Sequence, residues 1–165
     1  LALAVGTDEQ FRRLCREVLP NGLRTPQDLL VLAGAICDRV AYEPGTTDVT
    51  TAASEVLALG RGVCQDHAHL FLACVRGLGA PARYVSGYYA TSGADTAASH
   101  AWADVWLPSE GWVSVDVTNR AFTSDGHCRL AVARDYDSAS PVRGVRHGGG
   151  DESMTVSVQV QLAKQ

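Results

Sequence analysis

Apolar positions recur with a helical period in the first half of the chain and with a strand period in the second half. The helices predicted before the central segment span residues 8–19, 26–40 and 51–59. A fourth predicted helix, residues 64–78, is apolar on nearly all sides, as expected of a helix that is buried on most of its surface. The segments with strand character are residues 83–89, 100–107, 112–118, 128–133 and 155–162.

The order of these elements predicts the fold class. Helices come first and strands follow with connections of hairpin length, which favours an α+β fold with an antiparallel sheet. Thr7 and Thr25 are the expected N-caps of the first two helices, and residues 135–151 are expected to form a long surface loop. The 165 residues suit a single domain, which we expect to be a catalytic domain cut from a longer protein because the chain does not begin with Met.

Composition and charge exclude several functions. The chain is 46% hydrophobic and 19% charged, and its net charge of −4 comes with no basic block, so nucleic acid is not an expected partner. No apolar run approaches the roughly 20 residues of a membrane span. The five cysteines show no metal-binding spacing, and Cys15, Cys37 and Cys74 lie in apolar helical patterns that predict core positions. We therefore expect a reducing, cytoplasmic location.

The candidate chemistry begins at Cys64, which follows two glycines and opens the buried helix. A helix N-terminus favours a thiolate over a thiol, because its unpaired N–H groups and dipole are positive. His100 and Asp116 lie on two later predicted strands. Together these residues predict a nucleophilic site in which Cys64 attacks, His100 moves the proton and Asp116 orients the imidazole.

This site requires one particular pairing of the two strands. If Trp106 lies opposite Trp112, Trp102 falls opposite Asp116 and His100 lies diagonally from it, within reach of a hydrogen bond. A register one residue out of step would turn the aspartate to the other face of the sheet. We also expect the helix of the cysteine to pack against the face that bears the histidine and the aspartate.

The motifs around these residues resemble the transglutaminase-like superfamily, in particular its bacterial and archaeal members. They are Gly62-Val63-Cys64-Gln65-Asp66 with His69, then His100-Ala101-Trp102, then Gly111-Trp112-Val113 with Asp116. The resemblance covers most of the chain from about Gln27 onwards. It implies a papain-like transglutaminase core, with N-terminal helices and a central cysteine-bearing helix on an antiparallel sheet. It also implies Cys64, His100 and Asp116 as the catalytic residues, and no cofactor.

One departure from the family pattern is Val117, which stands where proline usually follows the aspartate, so the strand is expected to continue past Asp116. The departure leaves the three candidate catalytic residues intact.

Three functions are compatible with such a site. We favour a cysteine peptidase or amidase that forms a thioester with a peptide or protein substrate, and Gln65 and Trp102 are its candidate substrate-binding residues. A transglutaminase with an amine acceptor is the first alternative. A non-catalytic binding or assembly module is the second, although a pure scaffold has no need of all three groups.

Other polar and aromatic residues have simpler interpretations. His67 and His69 raise the possibility of a metal site formed by Cys64, His67 and His100, but no further cluster completes it and we predict no metal requirement. His69 is interpreted as a hydrogen-bonded core histidine.

The remaining candidates are assigned structural or surface roles. Asp66 and Asp104 are interpreted as solvated or structural carboxylates, and His127 and His147 as ordinary surface residues in loops. The three tryptophans, Trp102, Trp106 and Trp112, are expected to pack in the core between helix and sheet.

Overall fold

The computed structural model describes residues 9–90 and 97–140, together with Gly148 and Val158. Within these residues the helices are α1 Glu9–Val18, α2 Pro26–Arg39, α3 Ala53–Leu59, α4 Cys64–Gly77 and α5 Tyr136–Ala139. The strands are β1 Ala41–Tyr42, β2 Arg61–Gly62, β3 Ala82–Tyr89, β4 Ala98–Leu107, β5 Gly111–Asp116, β6 Ala121–Phe122 and β7 His127–Ala133. The predicted cap at Thr7 lies outside the described residues, and so does the predicted strand over 155–162 except for Val158.

Helix α2 begins where its sequence predicts. The Thr25 side chain accepts a hydrogen bond from the backbone N–H of Asp28, and the Asp28 carboxylate accepts one from the backbone N–H of Thr25. Pro26 occupies the first turn, where its missing N–H costs nothing. This reciprocal cap satisfies two backbone donors that a helix start otherwise leaves unpaired.

The main sheet is antiparallel, with strand order β6-β5-β4-β3-β7, so the predicted α+β class is confirmed. Strand β4 pairs with β5 so that Trp106 lies opposite Trp112 and Ala103 opposite Val115, which confirms the predicted register. The connecting turn closes at Leu107 and Gly111, and Gly111 has a φ of 80°, a left-handed conformation that glycine adopts without strain.

Helix α4 lies against the apolar side of strand β4. The core that α4 shares with this strand contains Ala101, Ala103, Val105 and Leu107, while His100 and its even-numbered neighbours point to the alternate face. The expectation that α4 packs on the face bearing the histidine is therefore wrong. The odd-numbered positions of β4 form the uninterrupted apolar stripe, and a buried helix requires that stripe.

Two of the three predicted core tryptophans are at the surface. Trp106 and Trp112 are 40% and 43% exposed and contact each other edge to face, with ring centroids 5.6 Å apart. The Arg83 guanidinium lies 4.1 Å from the centroid of the Trp112 ring. Both tryptophans flank the β4–β5 turn on the face away from α4, where none of the described helices covers them. Trp102 is 1% exposed, so its predicted burial is confirmed. It does not pack between helix and sheet as expected, because it lies on the face of β4 that α4 does not cover and contacts His127 there.

The predicted loop over 135–151 contains a short helix. The Asp135 carboxylate accepts a hydrogen bond from the backbone N–H of Ser138 and so caps α5. Ala139 is fully buried, and its carbonyl accepts a hydrogen bond of 2.7 Å from the Ser86 hydroxyl. These tertiary contacts stabilise one turn of helix that has too few residues to be stable by itself.

Substituting Gly87 is expected to destabilise the fold. A Cβ at this position would overlap the Cys128 carbonyl oxygen and lie 2.5 Å from Cη2 of Trp102. Because a backbone carbonyl cannot move aside cheaply, we expect Gly87→Ala to lower the free energy of unfolding by about 2–3 kcal/mol in urea titrations. Gly34→Ala is the matched control, since no atom lies within 4 Å of its added Cβ. Equal stability of the two variants would contradict this packing.

Among the described helices, none is both long enough and apolar enough to cross a bilayer.

Candidate active site

Cys64 is the first residue of α4, and its position depends on a buried carboxylate. Asp66, which is 2% exposed, accepts hydrogen bonds from the Val63 backbone N–H at 2.8 Å and from the Thr47 hydroxyl at 2.7 Å. A Cβ on Gly62 would come within 2.8 Å of Oδ2 of Asp66, so glycine is needed there. Of the two interpretations of Asp66, the structural one is correct: it fixes the start of the helix and so the position of the thiol.

His100 contacts both of the other candidate residues. Its Nε2 lies 2.8 Å from Oδ2 of Asp116, and its side chain is only 10% exposed. Burial by itself lowers the pKa of His100. The hydrogen bonds and electrostatic interactions with Asp116 and Cys64 outweigh burial and raise the pKa of His100 to about 9.

The end of the β4–β5 ladder explains how His100 reaches the thiol. The last paired residues are Ala103 and Val115, so His100 and Asp116 both lie beyond the paired part of the two strands. The backbones there are no longer held to each other by ladder hydrogen bonds. The imidazole can therefore bond Asp116 and also meet Cys64 at the N-terminal end of α4.

Asp116 is completely buried and accepts four hydrogen bonds from the residues that the structure describes. Besides His100, the backbone N–H of Asn119 donates to Oδ1 at 3.1 Å, and the Asn119 amide and His127 Nε2 both donate to Oδ2, at 2.7 and 2.9 Å. Burial by itself raises the pKa of Asp116, but the hydrogen bonds from His100, His127 and Asn119 hold it well below its ordinary value. The strand ends at Asp116 and does not continue through Val117 as expected, because the chain turns to bring Asn119 back to the carboxylate.

The interpretation of His127 as a surface loop residue is wrong. His127 is the first residue of β7, its side chain is 5% exposed, and it lies opposite Tyr89 in the β3–β7 ladder. Its ring centroid is 4.4 Å from that of Tyr89 and 5.3 Å from that of Trp102. Nothing local in the sequence places it beside Asp116, because the contact depends on long-range strand pairing. His147 lies outside the described residues.

Cys64 and His100 open onto a cleft with a volume of about 330 Å³. Three tyrosines form much of its wall, and Gln65 lines it beside the cysteine. No Asp, Glu, Lys or Arg is among the described residues that line it. The lining residues are Tyr42, Val63, Cys64, Gln65, Tyr84, Ser86, Gly87, Ser99, His100, Ala101 and Tyr136.

Trp102, the other candidate substrate-binding residue, does not belong to this wall. Its indole packs against Gly87 and His127, and within the described residues its Nε1 has no hydrogen-bond partner.

His67 and His69 are held by hydrogen bonds inside the fold. The two ring nitrogens of His67 each lie 3.0 Å from a partner, the Thr118 hydroxyl and the Val40 carbonyl. His69 Nε2 accepts a hydrogen bond from the Tyr136 backbone N–H at 3.2 Å. Burial lowers the pKa of both rings, which favours their neutral forms.

The side chains that lie close enough to bind a metal ion together are not those considered from the sequence, Cys64, His67 and His100. Within the described residues, the group close enough is His100, Asp116 and His127, whose ligand atoms all lie within 4.8 Å of one another. The combination of Cys64, His67 and His100 does not form such a group there. Two of the three grouped residues, His100 and Asp116, are those predicted to act with Cys64: His100 to move its proton and Asp116 to orient the imidazole.

Three comparisons relate this chain to known proteins. A family model described as the Transglutaminase-like superfamily matches residues 13–117. An uncharacterised protein of Mycobacterium tuberculosis (strain ATCC 25618 / H37Rv) is 38% identical over 141 residues, covering 78% of this chain and 45% of its own length. An uncharacterised protein of Mycobacterium leprae (strain TN) is 38% identical over 128 residues, covering 74% of this chain and again 45% of the relative. The chain thus spans a little under half the length of the curated relatives it matches.

Solved structures share the fold. A proposed cysteine protease from Cytophaga hutchinsonii is 26% identical with a TM-score of 0.70, and the match covers 83% of this chain and 46% of that protein. LapG of Legionella pneumophila, at 15% identity and a TM-score of 0.52 over 79% of each chain, supports the likeness of fold alone.

Proposed function

Since the chain belongs to the transglutaminase-like superfamily, we propose that it is a thiol-dependent acyl-transfer enzyme that hydrolyses amide bonds, with Cys64, His100 and Asp116 as its catalytic residues. The observation that carries the proposal is the position of His100. One buried imidazole contacts the carboxylate of Asp116 and the thiol of Cys64 at the edge of an open cleft, and its pKa is raised to about 9.

The hydrogen bond to Asp116 supports different roles for the two ring nitrogens of His100. Because a carboxylate only accepts, Nε2 of His100 carries the proton that points at Asp116. Nδ1 is then the atom that takes the proton of the Cys64 thiol. Below about pH 9 the imidazole holds this second proton. A positive charge beside a cysteine favours the thiolate, which is the nucleophilic form.

Acyl transfer then proceeds in two steps, acylation of Cys64 and hydrolysis of the thioester. The sulfur of Cys64 forms a bond to the substrate carbonyl carbon, the carbon–nitrogen bond breaks, and His100 gives its Nδ1 proton to the departing amine. A water molecule next attacks the thioester while His100 takes one of its protons. The acid leaves as the carbon–sulfur bond breaks, and the thiolate and imidazolium are restored.

The helix start and Gln65 offer donors for the oxyanion that forms in both steps. The first N–H groups of a helix have no partner within it, and those of α4 begin at Cys64 itself. Gln65, which has an amide in its side chain, lines the same cleft. Donors that are already in place when charge develops on the carbonyl oxygen lower the barrier without reorganisation.

Hydrolysis is favoured over transamidation because the Cytophaga hutchinsonii relative is itself described as a proposed cysteine protease. A peptide or protein substrate fits the wall of tyrosines, and a neutral acyl group fits a cleft in which no Asp, Glu, Lys or Arg is among the described lining residues. A transglutaminase that uses an amine as acceptor remains the second candidate, since the acylation step is the same.

Product analysis by mass spectrometry tests this function. We expect peptide amides with neutral acyl groups to yield the free acid, to do so faster than charged ones, and to give the same product when a primary amine is added. Cys64→Ala should give no product, whereas Cys128→Ala, which removes an exposed thiol outside the cleft, should retain activity. An amine adduct would make the protein a transglutaminase. No product, with a Cys64 no more reactive than Cys128, would make it a binding module.

A further inference from the structure

His127 makes a contact that a cysteine–histidine–aspartate site does not require. Its Nε2 lies 2.9 Å from Oδ2 of Asp116, the same oxygen that His100 Nε2 approaches to 2.8 Å. Two imidazoles therefore share one buried carboxylate oxygen. If both rings carried a positive charge they would repel each other, so the protonation state of His127 decides what this contact does.

The backbone at Ser124 fixes that protonation state. The Ser124 N–H donates to His127 Nδ1 at 3.0 Å. A backbone N–H can only donate, so Nδ1 must present its lone pair and cannot hold a proton. The ring proton is then on Nε2, and His127 is a neutral donor to Asp116.

We propose that His127 is a positioning residue for the proposed acyl-transfer reaction, acting through Asp116. As an uncharged donor it holds Oδ2 of the carboxylate in place for His100 and leaves the positive charge on His100 alone. Tyr89 and Trp102 pack against its ring and fix its orientation. The inference rests on the proposed function, because Asp116 and His100 must act on Cys64 for the position of the carboxylate to matter.

The hydrogen bond from the Ser124 N–H to His127 also weighs against a metal ion at His100, Asp116 and His127. To bind a metal through Nε2, His127 would have to move its proton to Nδ1 and lose the hydrogen bond from Ser124. A neutral donor keeps both hydrogen bonds. The geometry therefore favours the donor role, and metal binding is one of the outcomes that the experiment below distinguishes.

Two substitutions separate the two contacts of the ring. His127→Gln places an amide nitrogen near the position of Nε2 and keeps a donor for Asp116, whereas His127→Asn places an oxygen near Nδ1 and keeps only the acceptor for Ser124. We expect His127→Asn to slow the alkylation of Cys64 by iodoacetamide at pH 6 about 10-fold, and His127→Gln to restore the rate to within about threefold of wild type. Thermal melting of both variants shows whether either has lost its fold.

Other results would overturn the role. A slow His127→Gln beside a normal His127→Asn would mean that His127 acts through the turn at Ser124. Normal rates in both variants would mean that the donor to Asp116 is unimportant. Slow rates in both would mean that the ring is needed only for packing. Stoichiometric zinc in the purified wild-type protein, lost in His127→Asn, would replace the donor role with a metal site.

The wild-type protein supplies a measurement that does not depend on catalysis. Nitrogen-15 spectra of the histidine rings at pH 7 should show His127 with a protonated Nε2 and a bare Nδ1. A protonated Nδ1 would overturn the inference even if the enzyme is active. If Cys64 in the wild type reacts no faster than Cys128, the proposed function fails while the tautomer of His127 can still be as inferred.

Discussion

Replacing His100 with alanine should slow the alkylation of Cys64 by iodoacetamide about 100-fold at pH 6. In the wild type the pKa of His100 is raised to about 9, so at pH 6 the ring is an imidazolium in contact with Cys64 and stabilises a thiolate. An unassisted thiol with the reference pKa of about 8.5 is only roughly 0.3% ionised at this pH. The full factor of a few hundred is reduced because a stabilised thiolate is a weaker nucleophile.

The pH profile gives the sign of the effect. A group with a raised pKa keeps its proton to higher pH, so the imidazolium of His100 persists up to about pH 9 and is lost above it. Alkylation of Cys64 in the wild type should therefore depend less on pH between 6 and 9 than it does in His100→Ala. The variant lacks the imidazolium, so its alkylation rate should rise steeply with pH, as expected of an unassisted thiol. Hydrolysis, which needs the proton of His100 for the leaving amine, should decline above about pH 9.

Peptide mapping by mass spectrometry measures these rates at each cysteine of one sample. Cys128 is exposed and provides the internal reference for an ordinary thiol. Equal labelling of Cys64 and Cys128 in the wild type, or a Cys64 rate that is unaffected by His100→Ala, would contradict the role given to His100.

The sequence predicted those parts of the fold and site that depend on neighbouring residues. The N-cap at Thr25 was predicted from Thr25 and Pro26 alone, and the hairpin register follows from a short turn between Trp106 and Trp112. The part that Asp28 plays in this cap was not predicted. Once that register is fixed, His100 and Asp116 must lie close together, which the distance of 2.8 Å between Nε2 and Oδ2 bears out.

The sequence could not predict what depends on contacts between distant segments. The position of His127 beside Asp116 depends on the pairing of β7 with β3, which puts two strands, β4 and β3, between β7 and β5 in the sheet order. The one-turn helix α5 forms because Ser86, on β3, binds the carbonyl of Ala139. Trp106 and Trp112 are exposed because α4 covers the other face of β4. Which face α4 covers depends on packing throughout the core and not on the residues of the hairpin.

Replacing Asp116 with asparagine should reduce hydrolysis by about 10³-fold or more while leaving the protein folded. Oδ2 accepts from three donors and Oδ1 from a fourth, so an amide in either orientation turns its NH₂ group towards at least one of them. The negative charge that stabilises the imidazolium of His100 is also lost. In serine proteases the corresponding substitution lowers turnover about 10⁴-fold by favouring the wrong imidazole tautomer, and the same exchange here would put a proton on Nδ1, opposite Cys64.

Asp104→Asn is the control that separates this effect from a general loss of stability. Asp104 is also a fully buried carboxylate of the same sheet, and it accepts hydrogen bonds from Arg83, Arg129 and Ser114. Its arginine partners are more than one third exposed, so its replacement should cost on the order of 2 kcal/mol, less than a completely buried ion pair would.

The hydrolysis rates and stabilities of the two variants together show whether Asp116 has a catalytic role or only a structural one. Urea unfolding should show losses of similar size for Asp104→Asn and Asp116→Asn, because each leaves buried hydrogen-bonding groups unpaired. The rate of peptide amide hydrolysis should fall steeply only in Asp116→Asn, since Asp104 is not in contact with His100 or the cleft. If both variants lost activity in proportion to their stability, Asp116 would be a structural carboxylate of the sheet, and His100 would have to act on Cys64 without it.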